Sequence, residues 1–192
     1  MQYYPIFLDL RGRLCLVVGS GSIGTRKTEG LLAAGAIVTI ISPQTNKKVT
    51  RWATEKKVSY LQRPYCEGDL KGYFIAFAAT GVAEIDVLMA REASREGVLL
   101  NVVDRPILCN FISPAVLQRG DLAIAVSTGG KCPGFAKRLR QKLERTITPE
   151  YSIFLDAVAA ARHEVLNDLS LSETDKRRRI DEILDSGCGS LI

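Results

Sequence analysis

The chain has 192 residues, 46% of them hydrophobic and 24% charged, with a net charge of +5 and a pI near 9.0. These values exclude a disordered or fibrous chain and fit one globular domain of ordinary size with a smaller appendage. No apolar run nears the roughly 18 residues that cross a bilayer, and "MQYYPIFLDLRGR" lacks the basic-then-apolar order of a secretory signal, so a cytoplasmic protein with no membrane partner is expected.

The first expected element is a strand at 14–18, "LCLVV", whose continuous apolar run suits a parallel sheet covered on both faces, with Cys15 as a small core residue. A helix over 22–34 follows and stops at Gly35. "AIVTII" (36–41) predicts a second strand, and a polar helical stretch to about Lys57 uses Trp52 as its anchor to the sheet. "VSYL" (58–61) and "YFIAFAA" (73–79) predict the third and fourth strands. A helix over 82–96 has Val82, Ile85, Leu88 and Met89 at helical spacing, and "VLLNVV" (98–103) predicts the fifth strand. Strand and helix alternate with short connections, which predicts an α/β fold with a doubly wound parallel sheet.

After Asp104 the rhythm changes. Two short strands are expected at about 109–112 and 122–127, and helix from about Pro133 onward. Thr148-Pro149 marks one fresh helix start, and Ser172 with Asp175 three residues later marks another. Between them, Tyr151, Phe154, Leu155, Val158, Val165, Leu166 and Leu169 form an apolar stripe. The expected organisation is a nucleotide-binding domain over 1–112, a linking segment over 113–148 and a helical C-terminal domain over 149–192.

Gly19, Gly21 and Gly24 fit G-x-G-x-x-G between the first strand and the first helix, the context of a Rossmann-like dinucleotide site. The first glycine permits the tight turn, the second lets backbone approach a pyrophosphate, and the third lets helix pack close to strand. Ser22 and Ile23 lie at the helix N-terminus, which faces the negative charge. The acid that usually grips the adenine ribose after the second strand is missing, because that strand ends "IISPQ". Ribose is then held by Ser42, by Gln44 or by backbone around Pro43. No arginine stands there to invite a 2′-phosphate, which favours NAD over NADP.

Five cysteines are scattered without a C-x-x-C pair, and His163 is the only histidine, so neither a zinc site nor a disulfide framework is expected. Cys188 reads as an exposed thiol without a role, and His163 as a surface or packing residue.

Five stretches in collinear order resemble the precorrin-2 dehydrogenase family, the dehydrogenase module of sirohaem synthesis. They are "YYPIFLDLRGRLCLVVGSGSIGTRK", "LLAAGAIVTIISP", "FAAT", "NVVD" and "AVSTGGKCPGFAKRLRQKLE", spanning about Tyr4 to Glu144. The helical C-terminus resembles the family in kind rather than in motif. The resemblance implies NAD-dependent oxidation of precorrin-2 to sirohydrochlorin. In some members ferrous iron is then inserted to give sirohaem. It also implies a homodimer built through the segment after "NVVD". Some relatives are fused to a methyltransferase; at 192 residues a free-standing form is expected.

The family's proposed acid/base residue is the aspartate of "NVVD", here Asp104, which also follows the fifth strand at the carboxyl edge where open α/β sheets place ligands. Ala79 and Thr80 end the fourth strand and should line the cofactor cleft, where the Thr80 hydroxyl is free to bond to NAD. Ser127, Thr128, Gly129 and Lys131 of "STGGK" read either as substrate contacts with exposed amides or as plain turn chemistry. Some relatives carry serine in place of Thr128. Precorrin-2 has eight carboxylates, and from Arg105 to Arg145 cations far outnumber Asp121 and Glu144. Iron is expected only as a passing substrate, with no stable protein-bound metal.

Two rival classes remain. A nucleotide-sensing Rossmann regulatory module typically keeps the missing acid and has no need of "NVVD" or "STGGK". A nucleic-acid partner is argued against by the lack of aromatics among the basic residues.

Overall fold

The computed structural model describes residues 3–191, with 186–191 given by backbone alone, so the side chain of Cys188 lies outside the described residues. Two compact units divide the chain, Met1–Ser113 and Pro114–Ile192.

The first unit alternates β1 (Leu14–Val18), α1 (Ser22–Ala33), β2 (Ile37–Ile41), α2 (Lys47–Thr54), β3 (Val58–Leu61), β4 (Ile75–Ala78), α3 (Ala83–Glu96) and β5 (Leu99–Val102). The strands form one parallel sheet in the order β3-β2-β1-β4-β5. This is the doubly wound α/β sheet that the alternating pattern predicts. Side chains alternate across a strand, so β1 sends Cys15 and Val17 to one face and Leu16 and Val18 to the other. The first face packs on Leu31 of α1 and on Val49 and Trp52 of α2, and the second on Met89 and Ala93 of α3. Burial on both sides explains why these strands read as unbroken apolar runs.

The strand expected at 109–112 is not one. A 3₁₀ turn at Pro106–Leu108 leads into a loop that caps the edge strand β5 through a side chain. Asn110 accepts from the Leu100 amide at 2.7 Å and donates to the Val98 carbonyl at 2.8 Å. The apolar residues there cover the sheet instead, Phe111 meeting Phe77 edge-on at 5.5 Å.

In the second unit the strand begins only after Pro114. β6 (Ala115–Arg119) and β7 (Leu122–Val126) form an antiparallel hairpin, followed by α4 (Pro133–Thr146), α5 (Glu150–Asn167) and α6 (Glu173–Leu191). The start of α6 is reinforced as its sequence suggests, since Ser172 accepts from the Asp175 amide at 3.2 Å and donates to its carboxylate at 2.6 Å. Helix α4 packs on the hairpin, and α5 on β7 and α6. Of the stripe expected on α5 only Val158 is buried, and Leu169, 96% exposed, lies beyond the helix end.

Candidate functional site

Helices α1 and α3 leave the central strands β1 and β4 toward opposite faces of the sheet. The carboxyl ends of these two neighbours therefore form the topological switch point, the crevice in which open α/β sheets bind ligands.

The glycines at this point are used in three ways. A Cβ on Gly19 would stand 2.2 Å from the Ala79 carbonyl oxygen, and one on Gly24 would stand 2.0 Å from that of Gly19. Both positions exclude any side chain, and Gly19 also sits at φ +104°, open only to glycine. A Cβ on Gly21 would meet nothing within 4 Å, so the empty space at the loop faces outward from this position. Ser22 and Ile23 open α1, whose N-terminus has no side-chain cap and no acid in its first turn. Close packing at two glycines, open space at the middle one and an uncapped helix start fit the pyrophosphate of a dinucleotide.

The loop is braced by residues that sequence reading did not single out. Ser20, 7% exposed, donates to the Gln44 carbonyl and lies 3.1 Å from the Ser42 hydroxyl. Asn46 donates to the Ser20 carbonyl and, at 2.9 Å, to Thr25, while its side-chain oxygen caps α2 at the Lys48 and Val49 amides. An Asn before a helix is a visible capping signal, but its second role on the glycine loop depends on a fold contact. Ser42 is itself buried with its hydroxyl against Ser20, whereas Pro43 and Gln44 are exposed. Of the three, Pro43 and Gln44 are the ones open to a ligand.

On the other side of the crevice the Ala79 amide donates to the Val18 carbonyl at 2.8 Å. Thr80 does not present a free hydroxyl. It donates to the Asp86 carboxylate at 2.7 Å and accepts from the Val82 amide at 3.0 Å. Asp86, in the first turn of α3 and only 3% exposed, also pairs with the Arg105 guanidinium at 3.3 Å. An acid in that position reads in sequence as helix-dipole complementation, which hides its link to Arg105.

Asp104 follows β5 and is exposed, at φ +59°. A left-handed conformation is uncommon outside glycine, though aspartate tolerates it better than most residues. Its carboxylate has no hydrogen-bond or ion-pair partner among the described residues. Behind it, the Cys109 thiol lies against β5, accepting from the Val102 amide at 3.1 Å, and burial pushes its pKa up.

Ser127, Thr128, Gly129 and Lys131 lie in the second unit, in the loop from β7 to α4. Ser127 accepts from the Gly129 amide and Thr128 from the Cys132 amide, each at 3.1 Å. Gly129 and Gly130 both have positive φ, at 62° and 84°, so this is a tight turn whose hydroxyl oxygens hold its own backbone. Lys131 is exposed. In α4 the cations divide: Arg140 pairs with Glu144, while Lys137, Arg138 and Lys142 are exposed without an ion pair among the described residues. Arg119 of β6 is structural, donating to the carbonyls of Ile147 and Glu144 at 3.0 and 3.3 Å. His163 is exposed and lies 3.0 Å from the Asn167 amide group. Among the described residues, no group of three His, Cys, Asp or Glu side chains could hold a metal ion, and no helix is long and apolar enough to cross a membrane.

Residues 6–115 match the model of an NAD(P)-binding family, and residues 119–146 match the model described as sirohaem biosynthesis protein central. Siroheme synthase of Nitrosococcus oceani is 39% identical over 79% of this chain and 32% of its own length. That of Photobacterium profundum is 34% identical over 100% of this chain and 41% of its own. The chain thus spans about a third to two-fifths of the curated relatives it matches. The solved structure of SirC, precorrin-2 dehydrogenase, superimposes with a TM-score of 0.80 and 28% identity, covering 94% of this chain and 89% of that one. These matches support a nicotinamide dinucleotide as the cofactor of the glycine crevice. The chain belongs to the NAD(P)-binding family of sirohaem biosynthesis that includes the siroheme synthases and the precorrin-2 dehydrogenase SirC.

Proposed function

We propose that the chain oxidises precorrin-2 to sirohydrochlorin with NAD, and that Asp104 is the base. The observation that carries this reading is Asp104 itself, an exposed carboxylate in a left-handed turn, one strand away from a crevice whose glycines leave room for a pyrophosphate. The bound dinucleotide supplies the acceptor for the two electrons and the hydrogen that leave the reduced macrocycle as hydride. The proton that leaves with them needs a separate acceptor. The Asp104 carboxylate, exposed and without a hydrogen-bond or ion-pair partner among the described residues, is the group placed to take it. Gly19 and Gly24 set the loop, the amides of Ser22 and Ile23 receive the pyrophosphate, and Pro43 and Gln44 flank the ribose. The lack of an arginine beside them favours NAD over NADP.

In the second unit, Ser127, Thr128, Gly129 and Lys131, with the unpaired cations of α4, form the substrate-side anion surface of this reading. Their hydroxyl protons remain free to donate to carboxylates even though the oxygens hold the turn. Ferrous iron enters as the substrate of a second step, in which Asp104 removes pyrrole protons as the metal goes in. A homodimer is supported by apolar residues left uncovered in the second unit, among them Phe135 and Ile153 at 59% and 70% exposure. A cytoplasmic setting accords with four unpaired cysteines among the described residues.

The test is anaerobic turnover of enzymatically made precorrin-2 with NAD, following NADH and the tetrapyrrole spectrum, for wild type and Asp104→Asn. Wild type should turn over, and the variant should lose about 10²–10⁴ in kcat, the usual worth of general-base help. A fully active variant would reduce Asp104 to a structural role. NAD binding without wild-type turnover would leave a nucleotide sensor or a chelatase.

A further inference from the structure

We infer that Asp86 is the positioning residue of this site, tying the cofactor side of the crevice to the turn that carries Asp104. The inference rests on the reading of Asp104 as base. Its carboxylate is almost wholly buried, with a side-chain exposure of 4%, and its two oxygens face two different loops. Oδ1 accepts the Thr80 hydroxyl at 2.7 Å, in the segment just after β4 whose Ala79 carbonyl packs on Gly19. Oδ2 pairs with Arg105 Nε at 3.3 Å, in the residue next to Asp104.

A buried carboxylate is costly unless paired and hydrogen-bonded. Arg105 is the only cation paired with Asp86 among the described residues, through one ion-pair contact at 3.3 Å, so the buried charge depends on it. The Arg105 amide donates to the Val102 carbonyl at 3.3 Å, closing the turn over Asp104. Asp104 thus lies between β5 and an arginine ion-paired with α3, in a φ that an isolated chain seldom adopts. The strut restrains both loops at once. It does not touch substrate, and its effect on chemistry is through the placement of the base.

The decisive variants are Asp86→Asn, Arg105→Gln and the double variant, each assayed for kcat, KM for precorrin-2 and NAD affinity by fluorescence, with folding checked by circular dichroism. Asp86→Asn keeps an acceptor for Thr80 and removes the charge. It should lower kcat by roughly 10- to 100-fold, the cost of a base displaced by about 1 Å, while KM and NAD affinity stay within about threefold. Because the two residues act as one unit, the double variant should fall no further than either single one. If Asp86→Asn does not fold, Arg105→Gln decides alone, because Arg105 is 42% exposed and its replacement leaves the Asp86–Thr80 hydrogen bond in place. A folded Arg105→Gln should show the same fall in kcat, and an unchanged kcat would overturn the inference. Unchanged kcat in a folded Asp86→Asn, multiplying effects in the double variant, or parallel loss of kcat, KM and NAD affinity would each overturn the inference. Asp104→Asn in the same series separates the two claims. If it stays active, the base assignment fails. If it loses turnover while Asp86→Asn does not, only the strut fails.

Discussion

The two units bury their apolar residues very differently. The first sandwiches a parallel sheet between helices, with Leu16, Ile40, Met89 and Leu100 essentially inaccessible. Among the described residues the second buries only Leu117, Ala136 and Val158 of its hydrophobic side chains, while Phe135, Ile153, Leu155 and Leu166 are exposed. A two-stranded hairpin with three helices has too little interior to enclose what its sequence carries. The contrast teaches that the closed core and the cofactor crevice belong to the first unit, whereas the second leaves much of its apolar surface uncovered.

That contrast is most directly broken in the core. Leu16→Ala, at a fully buried position of the central strand, should cost about 2–5 kcal/mol by denaturant unfolding. A loss near zero would mean that the first unit is not the stable one. In the second unit Ile153→Asp, at a residue 70% exposed, should change the unfolding free energy of the monomer, measured at a concentration where no dimer forms, by no more than about 0.5 kcal/mol. Under the homodimer proposed above, sedimentation should show a wild-type dimer and a monomeric variant. A dimeric variant would move the interface off this helix, and a monomeric wild type would end the homodimer proposal.

The smallest effect sharpens the same contrast through thiols. Cys66 and Cys132 are exposed, so both should be labelled in the native protein when sites are read by mass spectrometry. Cys15 should resist until unfolding, since burial pushes its pKa from 9.0 up to about 11. A raised thiol pKa favours the fold while the group is neutral. That contribution is complete below pH 9 and fades as the pH rises toward 11. Labelling of Cys15 in native protein at neutral pH would show that the core around β1 opens.

The parallel sheet, its first helix and the glycine loop were legible in the sequence because each rests on local pattern. Unbroken apolar runs become strands covered on two faces, and the spacing of Gly19, Gly21 and Gly24 meets three separate backbone requirements. The placement of Asp104 was legible for the same reason, since it only requires the fifth strand to end just before it. The run at 109–112 misled because its apolar residues cover an edge strand by side chain, with Asn110 taking the place of a partner strand.

What only the tertiary structure decided is which polar groups are already engaged. Ser42 and Thr80 have the right chemistry for a cofactor, yet Ser42 is buried against Ser20, 22 positions away, and the Thr80 hydroxyl is taken by Asp86. In a linear sequence Asp86 is one more acid in a helix first turn. Its burial and its pairing with Arg105 exist only once α3 packs beside the end of β5. Periodicity reports which way a side chain faces along its own element. Whether its hydrogen-bonding capacity is free depends on groups brought from elsewhere in the chain, and that information appears only when the chain folds.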